Sequence, residues 1–310
     1  MTMRLLSAAA LALTGAGLLG GCASSQPSQA CFREKPVVLP DPERVRPSLS
    51  TGEGGRALYD AVVAGDREGV RALLRADPGL AATAVPEATY PNTNPDGQYG
   101  DLLTFAVAAC NPAMVATLIG AGLAPDGADP GQPLSLALLA DDLAMAEALL
   151  AAGASSDPQK RGGQNAFYVV AAFGDPEPVR LLIRYGLDLD WVDRFGRGHL
   201  DSAVSMEVFE VAEALIEAGD SPWEIADAGV MPVHGIMGPA ILAQGAQAAA
   251  QDRLRALMPR PGLPWPPPDA ATVRARVLSG EWPTPQMQAA GMTISPEALA
   301  RTREVAPRLP

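Results

Sequence analysis

The sequence has few of the side chains that usually carry enzyme chemistry. It contains two histidines, His199 and His234, and three cysteines in 310 residues. The patterns G-x-S-x-G and H-E-x-x-H and a phosphate-binding glycine loop are all missing. No histidine or cysteine follows His234, which disfavours a hydrolase site in the C-terminal part of the chain. We therefore expect a protein that is not an enzyme and needs no cofactor.

Positive charge is also scarce. The chain has 23 Lys and Arg against 35 Asp and Glu, a formal net charge of −12, and no cluster of basic residues. Nucleic acids are bound through such clusters, so no nucleic-acid partner is expected. The segment that most resembles a calcium-binding loop contains Asp188, Asp190 and Asp193. They lack the D-x-D-x-D-G order and the distal glutamate, so no metal site is expected either.

One long apolar run is present near the N-terminus. Residues 5–19 follow Arg4, are too short to cross a bilayer comfortably, and lead into Leu19-Gly20-Gly21-Cys22. This pattern resembles the lipobox of bacterial lipoproteins. The resemblance implies that residues 1–21 are a signal peptide and that Cys22 carries acyl chains such as palmitate. An ordinary signal peptide with an incidental cysteine is the alternative.

The lipobox resemblance also implies a location in the cell. Residue 23 is alanine and not aspartate. In this family, a residue other than aspartate at this position directs the lipoprotein to the outer membrane, here on the periplasmic side. The protein would then contact the membrane through its lipid only. The sequence does not determine which membrane leaflet finally holds the lipid. Residues 22–54 are rich in Ser, Pro and charge, and predict a flexible tether. Cys31 and Cys110 could form a disulfide in an oxidising periplasm, but their spacing does not require it, so two independent thiols are preferred.

A spacing of about 33 residues runs through the middle of the chain. Gly122, Gly153, Gly186 and Gly219 are 31, 33 and 33 residues apart, and an aliphatic pair stands three and four positions before each glycine. An earlier copy has Asp77 in place of the glycine. Four second helices are preceded by a good capping residue: Asp66, Asn111, Asp142 and Asp175. First-helix stripes repeat as Leu58/Ala61/Val62, Leu103/Ala106/Val107, Leu134/Ala137/Leu138, Phe167/Val170/Ala171 and Leu200/Ala203/Val204.

This pattern resembles the ankyrin repeat. The segment 186–190, followed by Asp193 and Gly196, is similar to the family's G-A-D-V-N...D...G finger, and residues 231–234 (MPVH) are similar to its T-P-L-H. The resemblance implies an all-α ankyrin-repeat solenoid over residues 55–240, with five clear repeats and one degraded repeat, in a monomeric protein. It also implies a structural, hydrogen-bonding role for His234.

Two parts of the chain depart from this spacing. About 12 extra residues fall within 81–99 and include Tyr90 and Tyr99, which predicts a surface loop that is either a binding element or a neutral elaboration. Residues 241–310 are expected to form a helical, Pro-rich C-terminal cap, with a free proline-rich tail as the alternative. Within them we expect one longer helix over 241–258, an extended stretch over 259–268, and short helices over 270–278 and 296–305.

Apolar residues stand where an ankyrin groove is usually polar. In this family the residue two positions after the leading hydrophobe points into the groove, and here that set includes Phe105, Leu136 and Val169, with Phe173 and Met206 beside them. We expect these residues, together with Tyr90 and Tyr99, to bind another protein. A groove covered by the chain's own segments and a different helix phase are the alternatives.

Two functions follow from these patterns. The first is a non-catalytic protein-protein interaction scaffold, lipid-anchored in the bacterial envelope. The alternative is an immunity or stress-protection protein that neutralises a toxic or damaging envelope enzyme. Loss of Arg4 with the signal peptide changes the net charge from −12 to −13, which suits a basic target.

Overall fold

The computed structural model describes residues 42–86, 98–157 and 166–308. The chain is mostly helical, which confirms the all-α expectation. The helices are α1 (Pro42–Val45), α2 (Gly52–Ala64), α3 (Arg67–Ala76), α4 (Leu102–Ala108), α5 (Pro112–Gly120), α6 (Gln132–Leu139), α7 (Leu143–Ala151), α8 (Ala166–Ala171), α9 (Pro176–Arg184), α10 (His199–Ser205), α11 (Phe209–Glu217), α12 (Pro232–Met237), α13 (Ala246–Leu257), α14 (Ala270–Leu278), α15 (Pro285–Ala289) and α16 (Pro296–Val305). Short 3₁₀ turns lie at Arg46–Ser48, Pro78–Ala82, Asp227–Gly229 and Ala306–Arg308.

From α2 to α11 the helices form consecutive hairpins, each closed by a turn of the same kind. One residue of the turn has a positive φ, between 53° and 72°, and the last four such residues are spaced 31, 33 and 33 residues apart: Gly65, Cys110, Asp141, Gly174 and Glu207. A capping side chain then starts the second helix, with Asp66, Asn111, Asp142 and Asp175 each accepting a backbone N–H. The capping interpretation of these four residues is confirmed.

The second helices of the last four hairpins also end in a recurring way. Gly122, Gly153, Gly186 and Gly219 have φ values of 88° to 113°, a conformation that glycine adopts without a steric penalty. The N–H of the residue after each glycine donates to the carbonyl of a leucine five residues earlier, which satisfies an end carbonyl of the helix. Those leucines are Leu118, Leu149, Leu182 and Leu215, and all four are fully buried in one continuous core.

Neighbouring hairpins pack helix against equivalent helix. Among first helices, α4 contacts α6, α6 contacts α8, and α10 contacts α12. Among second helices, α3 contacts α5, and α9 contacts both α7 and α11, while α11 contacts α13. Each hairpin therefore covers the apolar face of the next, and the buried side chains form a single core along the row.

The N-terminal end of the row is covered by a segment that the sequence analysis placed in the flexible tether. Residues 42–48 are helical, and Val45 and Leu49 are buried in the common core. Arg46 Nε donates to both carboxylate oxygens of Asp60 on α2, at 2.9 and 2.8 Å. The boundary at residue 54 was wrong, because two apolar side chains among many polar ones are enough to hold this segment against α2.

The predicted insertion begins and ends in a two-stranded antiparallel sheet, β1 (Ala84–Pro86) and β2 (Gln98–Asp101). Its last residue, Asp101, caps α4 by accepting the N–H of Thr104 at 2.8 Å. Residues 87–97, and with them Tyr90, lie outside the described residues, and Tyr99 is described by its backbone only. The structure therefore does not test whether these two tyrosines contribute to binding.

The C-terminal segment differs in one respect from its expectation. Instead of one helix over 241–258, α13 begins only at Ala246, because residues 238–245 form a loop bound to the preceding hairpin. α14 and α16 have the expected bounds, and α15 lies between them. α14 and α16 pack on the turn at 227–229, Ile225 forms a parallel bridge with Ile294, and Ser221 Oγ donates to the Gly291 carbonyl. Arg301 on α16 also lies over the Phe195 ring, so the segment is attached to the turns before α10 and α12.

Candidate functional site

The first helices carry the residues that the sequence analysis assigned to a partner-binding groove. Phe105 on α4 does not belong to an exposed surface, since only 4% of it is accessible. Its ring packs against the buried ring of Tyr59, with 5.3 Å between the ring centroids. The placement of Phe105 at the centre of an exposed band was therefore wrong. An aromatic partner on the preceding hairpin draws it into the core.

The remaining groove residues are accessible to different degrees. Leu136, Val169 and Met206 are half-buried and pack on the core with one side, while Phe173 is 43% exposed. Tyr168 and Leu139 are exposed as well, although the sequence analysis did not assign Tyr168 to the site. We call the accessible set the groove band: Leu136, Leu139, Tyr168, Val169, Phe173 and Met206. It lies on α6, on α8 and the turn that follows α8, and directly after α10, so it extends over three consecutive hairpins.

A polar crevice adjoins the groove band. It has a volume of about 230 Å³ and is lined by Tyr168, Asp193, Arg197, Asp201, Ser202, Ser205 and Met206. The Tyr168 hydroxyl and Ser202 Oγ are hydrogen-bonded at 2.8 Å, which ties α8 to α10 across this opening. Arg197 forms an ion pair with Asp193 at 3.3 Å. The surface therefore offers hydroxyl, carboxyl and guanidinium groups beside an apolar strip, a mixture typical of protein-binding surfaces.

Three acidic side chains lie close together at this crevice, and one of them, Asp201, is part of its lining. Asp201, Asp220 and Glu224 come from α10 and from the turn after α11, and the first two are buried. Burial raises the pKa of Asp201 to about 7, against a hydrogen bond from the Gly198 N–H, and burial also raises the pKa of Glu224 to about 7. The pKa of Asp220 is raised well above its ordinary value by burial and by the negative charge of Glu224. We call these residues the carboxyl cluster.

The carboxyl cluster was missed by the sequence analysis. Asp220 directly follows the recurring glycine at 219, where the other copies have Leu123, Ala154 and Leu187. That departure from an apolar position is the signal that could have revealed it. Asp220 Oδ2 and the indole N–H of Trp223 are both buried without a hydrogen-bond partner among the described residues. Within the described ranges, no group of three or more His, Cys, Asp or Glu is arranged to hold a metal ion.

The aspartates of the turns have a structural role. Asp101 accepts the N–H of Ala128 at 3.0 Å, Asp126 accepts that of Ser155 at 2.6 Å, and Asp157 accepts that of Asp188 at 2.8 Å. Each bond joins one inter-hairpin turn to the next. Asp193 holds its own turn by accepting the N–H groups of Phe195 and Arg197.

Both histidines are built into the fold. His199 is fully buried, stacks on Trp191 with 5.2 Å between ring centroids, and contacts Phe167. His234 Nδ1 accepts the N–H of Met231 at 3.1 Å, so its Nε2 carries the proton that is donated to the Pro268 carbonyl at 2.8 Å. Burial lowers the pKa of His234. The structural role expected for His234 is thus confirmed, and it extends to the proline-rich segment.

Cys110 is disulfide-bonded in the structure. The preference for independent thiols is therefore wrong for Cys110, and the other two cysteines, Cys22 and Cys31, lie outside the described residues. Cys110 is the left-handed residue of the turn between α4 and α5, which places its half-buried side chain at the edge of the row of hairpins.

No family model matches the chain, and no curated protein matches it. Among the described residues, none of the helices combines the length and apolar character needed to cross a membrane. The function is therefore argued from the residues and contacts above.

Proposed function

We propose that this protein is an ankyrin-type repeat solenoid that is lipid-anchored in the bacterial envelope, faces the periplasm and binds another protein through its groove band. The observation that carries the proposal is the recurrence of one hairpin. Left-handed turn residues and buried leucines return at 31- to 33-residue intervals, and equivalent helices pack on each other. This period is close to the 33 residues of an ankyrin repeat, and stacked repeats present an extended binding surface.

The groove band supports protein binding. Its six side chains form an apolar strip across three hairpins, beside a crevice that offers hydroxyl and charged groups. Half-buried Leu136, Val169 and Met206 are held in place by the core, so a partner would order few additional side chains on this surface. Side chains that lose little conformational entropy on binding, and a polar rim around them, are both properties of protein interfaces.

A matched pair of variants tests the groove band. We expect Val169→Asp combined with Phe173→Asp to abolish capture of the specific envelope partner by the purified full chain, because charged groups in an apolar interface are desolvated without compensation. The measurement is affinity capture with mass-spectrometric identification. Tyr185→Asp combined with Leu257→Asp, two exposed residues elsewhere on the surface, is the control and should retain the partner. Equal recovery of every partner by both variants would remove the groove band from the proposal.

The lipid anchor has a separate test. Cys22→Ala removes the only acyl acceptor in the lipobox, so metabolic labelling with a palmitate analogue should fall to background and the protein should leave the membrane fraction. Cys31→Ala is the control, since it removes a cysteine outside the lipobox. Undiminished labelling of the Cys22→Ala protein would contradict the anchor and leave the groove band unaffected.

Charge favours a second candidate within the same class of binding protein. The formal charge of −12 becomes −13 in the mature chain, which speeds association with a basic protein and selects against acidic ones. An immunity or stress-protection protein that neutralises a basic envelope enzyme fits this charge. The same capture experiment distinguishes it, because the recovered partner would then be an enzyme whose activity the bound chain inhibits.

A further inference from the structure

The loop between α12 and α13 presents two apolar side chains to solvent. Ile241 is 84% exposed and Leu242 is 71% exposed, more than any other large hydrophobic residue that the structure describes. They are adjacent in a loop, where a polar residue would be equally compatible with the backbone. Exposure of two neighbouring branched side chains has no benefit for the folded chain alone.

The backbone under these side chains is firmly bound. The carboxylate of Glu207 accepts the N–H groups of Ile241, Leu242 and Ala243, at 2.9, 2.6 and 2.7 Å. Hydrogen bonds from these three amides lower the pKa of Glu207, so its carboxylate is ionised at neutral pH. Charge-assisted bonds to backbone amides are strong, and three of them give this loop a defined conformation.

Glu207 itself adopts a conformation that is unfavourable for most residues. Its φ is +57°, at the turn position that is glycine in two of the other hairpins, Gly65 and Gly174. A glutamate is less favourable than glycine in this left-handed conformation, because its Cβ approaches the following carbonyl oxygen. Its presence is explained by the function of its carboxylate, which is to hold the 241–243 backbone.

Further bonds fix both ends of the loop. Gln247 donates to the Gly174 carbonyl at 3.0 Å and to Glu210 at 2.9 Å, which ties the start of α13 to two neighbouring hairpins. Gln251 donates to the carbonyls of Ile236 and Gly238, both at 3.1 Å, and Arg255 donates to the same two carbonyls. The loop is therefore a rigid support for Ile241 and Leu242.

This loop is continuous with the groove band. Met206 immediately precedes Glu207, and Phe173 immediately precedes Gly174, whose carbonyl binds Gln247. The nearby carboxylates are Glu207, Glu210, Glu213 and Asp252. They outnumber the guanidinium groups of Arg253 and Arg255, in a chain of net charge −12. Anionic lipid headgroups are repelled by such a surface, whereas a protein with a basic rim is attracted.

We propose that Ile241 and Leu242 are the principal contact of the interface, and that they insert into an apolar pocket with a basic rim on the partner protein. This inference rests on the proposed protein-binding function and specifies where its binding energy is concentrated. Rigidly presented apolar side chains at the centre of an interface contribute most of the affinity, because they are desolvated with little loss of conformational freedom.

The test combines crosslinking with measured affinity. The full chain carries the photoreactive residue p-benzoylphenylalanine in place of Ile241, is expressed in intact cells and is irradiated, and the crosslinked protein is identified and purified. We expect a basic protein that binds the wild-type chain. Ile241→Asp combined with Leu242→Asp should raise its Kd at least about tenfold. Leu257→Asp combined with Leu278→Asp, two other exposed leucines that lie outside the loop, should leave Kd within about twofold.

Several results would overturn the inference. They are crosslinks only to lipid, crosslinks only to a second copy of this chain, no crosslink, or the same Kd for the loop variant and the wild type. Should the control pair weaken binding as much as the loop pair, the claim of a principal contact also fails. If Val169→Asp with Phe173→Asp loses the partner while the loop variant keeps it, the proposed function stands and this inference does not. If instead the loop variant loses the partner and Val169→Asp with Phe173→Asp keeps it, the loop contact stands and the groove band is excluded.

Discussion

Leu149→Ala is expected to lower the free energy of unfolding by about 3 to 4 kcal/mol. Leu149 lies on α7, is fully buried, and its carbonyl also accepts the N–H of Ala154 at the end of the helix. Its side chain belongs to the core that all the hairpins share, so the methyl groups removed leave a cavity that neighbouring helices cannot close separately. The backbone bond at the helix end would remain, because alanine keeps the same carbonyl.

Urea denaturation followed by circular dichroism measures this effect. Leu139→Ala is the matched control, because Leu139 is on the adjoining helix α6 but is exposed, and we expect a change of less than about 1 kcal/mol. Repeat proteins can unfold in segments, so the midpoint and the slope of the transition are both compared. Equal effects of the two substitutions would mean that Leu149 is not part of a continuous core.

The second large effect is a loss of stability as the pH rises from about 4 to about 7. Burial raises the pKa of Asp201 from 3.8 to about 7, and each pKa unit corresponds to about 1.4 kcal/mol. A carboxyl whose folded pKa is above its unfolded pKa stabilises the fold below the unfolded value, and this contribution is lost as pH rises through the folded value. Asp220 and Glu224 shift in the same direction, so we expect a loss of roughly 2 to 4 kcal/mol.

Neighbouring charges modify this dependence without reversing it. Asp190 and Asp193 add negative charge near Glu224 and Asp201, while Arg197 favours the ionised form of Asp201. His234 acts in the opposite sense. Burial lowers the pKa of His234 in the folded state. Its contribution to stability is therefore present above the unfolded-state pKa, near 6.5, and is lost as the pH falls below that value. Stability is therefore expected to be greatest in the mildly acidic range.

Asp220→Asn isolates the carboxyl cluster. The amide oxygen can still accept the backbone N–H groups of Leu200 and Ser221, but the side chain can no longer ionise. We expect the variant to be more stable than wild type by roughly 1 to 2 kcal/mol at pH 8, and to lose most of that advantage at pH 5. Asp129→Asn, at an exposed carboxylate, is the control. A variant with the pH dependence of the wild type would show that the cluster does not govern stability.

Local signals in the sequence determined most of the helical architecture. Capping residues such as Asp142 and the recurring glycines such as Gly153 act within one turn of a helix, so they specify where a helix begins or ends whatever it packs against. For the same reason α14 and α16 have the bounds expected from their short amphipathic stretches. The aspartates of the turns were assigned to structural positions without knowledge of their partners.

Tertiary structure decided which of these residues remain accessible. Phe105 fits a surface position by its spacing, yet Tyr59 on the preceding hairpin covers its ring. Ile241 fits a helix by its spacing, yet Glu207, 34 residues earlier, binds the backbone N–H groups and keeps the segment as a loop. The pKa values of Asp201 and Asp220 depend on burial by segments that are distant in sequence. Burial is the sum of contacts with neighbours brought together by the fold, whereas a helix cap is complete within a few consecutive residues, so the caps could be predicted from the sequence and the exposed surface could not.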